Sequence, residues 1–369
     1  MHLALRSIAT AVLLATAATA ASAQSSVKLY GLIDIGAGQF EDNNNDSSGS
    51  YFNRAWAQRW KVEPGMMTTS FWGMEGREEL SNGVAAEFKL EAFFLGDTGA
   101  QGRFQTDAVF ARSAYVGLSS KALGSVHMGR STTPLFISTL MFNPFGNSPV
   151  WSPSIRQYFN GSAGGQVRGD SSWNNSVNFI SANYGGLSIN ALISVSEGAP
   201  VGATTGTGKN HSLSALWFGG PLAASATWQR VQQPNTGAQS QDTWQIGGSW
   251  DLQLAKLYGQ YGEVDDGSIS GVKARLWSLS ASVPIGAGSL MGSYGESRFG
   301  GAGSGRRTTA SFGYNYALSK RTDITAALMS EEVKAGRAID FASFKPVAAS
   351  IATIDNNGLS YGINLRHRF

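Results

Sequence analysis

The chain has 369 residues, no cysteine, and a formal net charge of only +3 from 28 basic and 25 acidic side chains. Charged residues make up 14%, against ~25% in a soluble globular domain, while glycine reaches 46 residues and proline stays at 10. These figures exclude a disulfide framework, a thiolate metal site, a nucleic-acid surface built on net basicity, and a collagen-like or disordered chain.

The amino end carries an export signal: Arg6, an apolar run from Ile8 to Ala21, and the small residues Ala21-Ser22-Ala23 before Gln24. The run is too short and too alanine-rich for a membrane helix. Residues 1–23 are therefore expected to be removed, leaving residues 24–369 as a single domain. No later window offers the ~18 apolar residues of a spanning helix. A low-charge exported chain must then reconcile its apolar residues with water by alternation.

The residues do alternate. Val27, Leu29, Ile33 and Ile35 alternate with Lys28, Tyr30 and Asp34; Phe88, Leu90 and Phe94 with Glu87, Lys89 and Glu91. Later, Leu187 to Ser196, Trp277 to Val283 and Ala310 to Leu318 repeat the pattern. Period two of this kind marks strands with one apolar and one polar face. Sixteen such segments are predicted, near 27–40, 68–80, 84–95, 108–118, 124–131, 173–184, 187–197, 210–218, 222–231, 242–250, 252–263, 272–284, 288–299, 307–318, 321–332 and 357–369. Short turns (Ser81-Asn82-Gly83, Gly185-Gly186, Gly219-Gly220-Pro221, Gly286-Ala287-Gly288) alternate with long polar loops such as 41–67, 198–209 and 333–356. Hairpins whose two ends differ in this way suit a barrel in an outer membrane. Tyr184, Trp217, Phe218, Trp250, Tyr316 and Phe369 stand near predicted strand ends, where amphipathic rings anchor at headgroup level. The last strand places Leu359, Tyr361, Ile363, Leu365, His367 and Phe369 on one face, and Ser360, Asn364, Arg366 and Arg368 on the other.

The fold class expected is all-β: a 16-stranded antiparallel transmembrane β-barrel. The chain resembles the general-diffusion porins of Gram-negative outer membranes, most closely the beta-proteobacterial type. The resemblance is carried in order by Leu29-Tyr30-Gly31 with Asp34, by Ala111-Arg112-Ser113-Ala114-Tyr115-Val116-Gly117-Leu118, and by Gly124 to Arg130 running into Thr133-Pro134-Leu135. Asn143-Pro144-Phe145-Gly146, Asn175-Ser176-Val177 and Leu365-Arg366-His367-Arg368-Phe369 complete it. It implies a homotrimer whose third extracellular loop folds inward to narrow the pore. The residues agree about that loop. Residues 132–172 are the longest connection, far above usual loop lengths. They are also rich in apolar and aromatic side chains, from Phe136 through Phe142 and Phe145 to Trp151 and Tyr158, which would be sticky if exposed. Pro144 and Phe145 supply its turn.

The chemistry expected at the constriction is charge. Phe71, Glu75 and Arg77 share one strand face, and Glu87, Lys89 and Glu91 share the next. Arg112 lies on the face of Ala114 and Val116, opposite Tyr115; the resemblance puts an arginine of a lumenal basic ladder there. An arginine facing lipid near mid-plane costs ~2–4 kcal/mol, so the lumen is its expected place. Two departures from the family pattern stand out: Phe71 occupies an arginine position, and loop residues 132–169 contain Arg156 and Arg168 but no acid. A weak anion preference is the expectation. His127, His211 and His367 sit singly and are read as surface or girdle residues; no H-E-x-x-H or Ser/His/acid spacing points to an enzyme. Asp42 to Asp46 spaces oxygens like a calcium loop, but Ser47 stands where the turn needs glycine. The function expected is therefore passive diffusion of ions and small hydrophilic solutes, without cofactor, metal or nucleic acid. Outer-membrane lipid and lipopolysaccharide are the expected surroundings. The alternatives are a barrel with a plugged lumen acting as a structural protein or adhesin, and a barrel enzyme.

Overall fold

The computed structural model describes residues 26–42, 57–104, 106–159, 167–195, 209–232, 240–267, 272–300, 305–335, 339–340, 345–346 and 354–369. The expected signal at 1–23 and the oxygen-rich segment 43–47 lie outside these residues.

The strands are β1 (Ser26–Asp42), β2 in two pieces (Ala57–Pro64 and Phe71–Glu79), β3 (Val84–Phe93), β4 (Ser113–Ser120), β5 (Gly124–Thr132) and β6 (Ser172–Ser181). They continue as β7 (Leu187–Ser194), β8 (Asn210–Gly219), β9 (Leu222–Gln232), β10 (Ser240–Asp251) and β11 (Lys256–Asp266). The set ends with β12 (Val272–Ile285), β13 (Gly288–Gly300), β14 (Gly305–Ala317), β15 (Thr322–Ala335) and β16 (Ile354–Arg368). Each pairs antiparallel with its neighbours in sequence. The ring closes where Leu32–Gln39 of β1 meet Tyr361–Arg368 of β16. Phe369 continues the closure, donating its N–H to Gly31 O at 3.1 Å and accepting from Gly31 N at 3.2 Å. The result is a closed antiparallel barrel of 16 strands.

The second strand departs from the sequence reading. The stretch 41–67 is expected to be loop, yet Ala57–Pro64 pairs with the upper half of β1, and Phe71–Glu79 pairs with its lower half. Between them the chain kinks at Gly65, which needs a left-handed backbone (φ 69°). Asp34 holds the kink from inside the wall: its Oδ2 accepts from Met67 N at 2.8 Å and Thr68 N at 2.7 Å, and its Oδ1 accepts from Asn364 Nδ2 at 2.7 Å. A buried carboxylate with three donors is fully satisfied and pins two strands to one loop.

Alternation sorts the faces as expected. Leu29, Val62, Val116, Met128, Ile246, Leu279 and Phe312 are exposed on the outer face, whereas Ser225, Thr227, Gln229, Gln245 and Thr325 are turned inward. Tyr184, Trp217, Trp250, Tyr316 and Phe369 are exposed beside the short turns and the carboxy terminus, whereas Phe218, next to Trp217 on one strand, shares the inward face of Ala223 and Ser225 and sits at the barrel's rim. Toward the other end, outward Trp244 and Tyr261 pair at 5.4 Å, and Trp277 and Tyr294 at 5.5 Å. Two aromatic levels on an apolar outer wall place the barrel across a bilayer.

The connection after β5 does not leave the barrel. It forms helix α1 (Pro134–Met141) and helix α2 (Pro153–Tyr158). Each begins on a hydroxyl N-cap followed by proline: Thr133 accepts from Phe136 N and Ser152 from Ile155 N. Asn143 links them, donating to Thr139 O and Gly146 O and accepting from Ser152 Oγ, all at 3.0 Å. Inward residues of the far wall receive the helices. Ser138 Oγ lies 2.7 Å from Ser225 Oγ, Gln260 donates to Thr139 O at 2.9 Å, and Ser154 Oγ lies 3.0 Å from Ser278 Oγ. Glycine clears the space where they touch; a Cβ at Gly247 would lie 2.7 Å from the Phe142 ring. Leu135, Phe142, Phe145, Trp151 and Tyr158 are buried. Each such side chain contributes roughly 1.5–3 kcal/mol by leaving water, so the loop's own apolar content holds it in.

Candidate functional site

The tip of this loop is seated on the kink of β2. Ser148 Oγ donates to Met66 O at 2.6 Å, and Thr68 Oγ1 donates to Asn147 Oδ1 at 3.3 Å. Phe145 and Trp151 pack with Phe40, Met66, Met67, Met291 and Met329. Pro144 remains half-exposed beside them. The loop thus lines the wall from β8 round to β15 and reaches Phe40 of β1 and the kink of β2, leaving the inner face below that contact, from Phe71 across to β5, open to water.

That open face carries the charges. Register places Phe71, Gly73, Glu75 and Arg77 opposite Phe93, Glu91, Lys89 and Glu87. All of these point inward. Lys89 pairs with Glu75 at 3.2 Å, and Arg77 with Glu87 at 3.1 Å and Glu79 at 2.9 Å. Ser119 Oγ bridges Arg77 and Glu87 at 2.7 and 2.8 Å. His127, expected at the surface, is instead lumenal and buried: its Nε2 is 2.6 Å from Glu87 Oε1, and its ring stacks on Tyr115 at 4.2 Å.

Arg112 corrects a parity argument. Ala114 and Val116 face outward, so an extension of their strand would aim Arg112 at lipid. The strand starts only at Ser113, and the preceding backbone is irregular, which turns the side chain inward. Its Cζ sits 4.2 Å above the Phe71 ring and 5.8 Å from Phe93. Glu91 Oε2 is 3.2 Å from Arg112 Nε. That contact is an ion pair without hydrogen-bond alignment, and the buried Nε has no in-line acceptor among the described residues. Tyr30 Oη donates to the other oxygen, Glu91 Oε1, at 2.7 Å. Arg112 is 30% exposed but Glu91 only 7%, so the base and not the acid projects into the water.

The loop's own arginines do not stand unopposed, contrary to the expectation from sequence. Arg156 is gripped by Glu331 of β15 at 3.1 and 3.2 Å. Arg307 of β14 shares that carboxylate at 2.7 Å and donates to Arg156 O at 3.1 Å. Arg168 pairs with Asp266 at 2.5 Å. The acids missing from the loop are supplied by the wall beneath it.

A separate cluster ties the loop after β3 to the end of the inward loop. Arg103 binds Asp107 at 2.9 Å and Asp170 at 2.8 Å, and Arg130 binds Asp170 at 2.5 Å. Burial raises the Asp170 carboxyl, but hydrogen bonds and charge from Arg103, with Arg130, outweigh it and leave the pKa at about 2. A depressed folded-state pKa gives stabilisation that is present above ~3.9, the unfolded value, and lost as pH falls through about 2. This tie should therefore be indifferent to pH between ~7 and ~5. Asp170→Asn should break it at neutral pH, seen as faster proteolytic nicking near Arg103; unchanged nicking would dismiss the tie.

A family model described as Gram-negative porin matches residues 9–336. An outer membrane porin of Bordetella pertussis is 27% identical, spanning 99% of this chain and 100% of the relative. Outer membrane porin protein 32 of Delftia acidovorans is 29% identical over 76% of this chain and 75% of its own length. In three dimensions the chain is similar to an anion-selective porin from Comamonas acidovorans, with TM-score 0.75 and 22% identity over 94% of this chain and 100% of that one. It is also similar to the trimer form of OmpT, an outer membrane protein of Vibrio cholerae, with TM-score 0.64 and 14% identity over 94% and 99% of the two chains.

Proposed function

The chain belongs to the Gram-negative porin family and is a passive channel of the outer membrane; on that premise we propose that its constriction lies between the folded-in loop and the wall patch around Phe71 and Arg112. The observation that carries this reading is the seating of Ser148 and Asn147 on Met66 and Thr68, a few residues up β2 from Phe71. Glu75, Arg77, Glu87, Lys89 and Glu91 line the path below, while Pro144, Phe145 and Arg156 fix the loop's position. The greater exposure of Arg112 over Glu91 favours a weak anion preference, as does the pairing of the loop's arginines with acids that stay buried. The Comamonas acidovorans structure is described as anion-selective, which supports the same sign.

The test is the reversal potential of the purified protein across a salt gradient. Arg112→Ala should shift it toward cations, changing the permeability ratio roughly twofold at ~0.1 M salt and less at ~1 M, where screening shortens to ~3 Å. Phe71→Arg should shift it toward anions. Strong cation selectivity in the unmodified channel would overturn the charge assignment.

We further propose that residues 1–23 are removed on export and that three copies associate. An apolar outer groove of Ile35, Ala37, Val62, Ile324, Ile363 and Leu365 at the barrel's closure supports the association, as does the trimer form of the Vibrio cholerae relative. Lipid and lipopolysaccharide would meet the aromatic levels and the outward charged residues above them, such as Arg230 and Arg275.

A further inference from the structure

We propose that the Phe71–Arg112 stack is a binding site for aromatic monocarboxylates of about the size of benzoate, so that such anions enter in preference to inorganic or aliphatic anions of equal charge. The inference rests on the reading of the constriction as lying at this patch. Its first support is the arrangement around Arg112. The guanidinium is positioned by ring faces, with Phe71 at 4.2 Å and Phe93 at 5.8 Å. Glu91 lies beside its Nε, out of hydrogen-bond alignment and largely shielded from water. The Nη groups make no hydrogen bond among the described residues. A partly exposed guanidinium fork with unused donors accepts a carboxylate in bidentate fashion.

The second support is what lies next to that fork. Phe71 is half-exposed and points into the lumen, and Tyr30 meets it edge-to-face at 6.2 Å with an interplanar angle of 76°. A ring attached to a carboxylate on Arg112 can lie along Phe71 in the offset or edge-on geometry that aromatic pairs prefer. A hydrated inorganic anion gains the charge and nothing from the ring.

The third support is the opposite bank. The loop tip docks at Met66 and Thr68, and the half-exposed apolar side chains beside that contact include Pro144 and Val150. None is charged, so an apolar ring crossing the gap displaces only weakly held water. Glu91 keeps the site leaky: its ion pair with Arg112 competes with the incoming carboxylate, so binding stays weak enough for release. A permeation site needs that balance.

The experiment uses the full-length purified protein in planar bilayers with chloride as the carrier. Sodium benzoate, cyclohexanecarboxylate and acetate are added in turn at equal ionic strength, with benzyl alcohol as the uncharged control. Benzoate should reduce or flicker the chloride current at a concentration on the order of threefold below cyclohexanecarboxylate, and further below acetate, with no effect of benzyl alcohol. Phe71→Leu should erase the gap between benzoate and cyclohexanecarboxylate, and Arg112→Gln should abolish block by both. The comparison of anions on the unmodified protein stands even if a variant fails to assemble. Equal block by benzoate and cyclohexanecarboxylate overturns the site while leaving the channel intact. A gap that survives Phe71→Leu also overturns it. If no conductance steps appear at all, the channel reading itself fails, and this inference falls with it.

Discussion

Excising residues 138–150 should raise single-channel conductance on the order of twofold or more, because conductance follows the narrowest cross-section. The excision removes the second half of α1 and the tip that sits on Met66, so Phe142 and Phe145 leave the lumen. It also removes Ser138 and Thr139, which bind Ser225 and Gln260 on the far wall. The barrel strands keep every partner they have, since no ladder runs through the loop. Single-channel recording of the excised protein decides the matter; an unchanged conductance would place the constriction elsewhere.

The largest stability effect is expected at Glu331. Its carboxylate holds Arg307 and Arg156 together, and both Glu331 and Arg307 are only 1% exposed. Removing one partner of a buried ion pair strands the other charge, at a cost of about 3–5 kcal/mol. Glu331→Leu should therefore lower the temperature at which the folded barrel converts to the unfolded band on gel electrophoresis. It should also make the open channel noisier, because Arg156 is the loop's tie to β15. Glu331→Gln, which keeps the shape and one acceptor, should fall between. If Glu331→Leu melts like the parent and conducts as quietly, the pair does not anchor the loop.

Much of this architecture is legible from alternation alone, because each strand turns apolar side chains to lipid and polar ones to the lumen. The misreadings have local causes. Ala57–Pro64 does alternate, Arg59, Lys61 and Glu63 against Trp60 and Val62, but the run is short and follows a long polar stretch, so it reads as part of the 41–67 loop until its pairing with β1 is seen. Arg112 misleads because strand parity does not extend one residue beyond the start of β4. His127 looks like a girdle residue until the barrel brings Glu87 to it from two strands away. The helices of the inward loop are signalled by Thr133-Pro134 and Ser152-Pro153, a hydroxyl cap followed by proline at the first turn. What sequence does not show is the opposition of loop and wall. Glu331 and Arg156 are separated by 175 positions and meet only when the barrel closes.

The reading of the chain as a diffusion channel narrowed by its own loop is tested most directly by recording the purified full-length protein in planar bilayers across a salt gradient. Discrete conductance steps, with a reversal potential near zero or displaced slightly toward anions, are the predicted result. A silent barrel, or steps with strong cation selectivity, would contradict it.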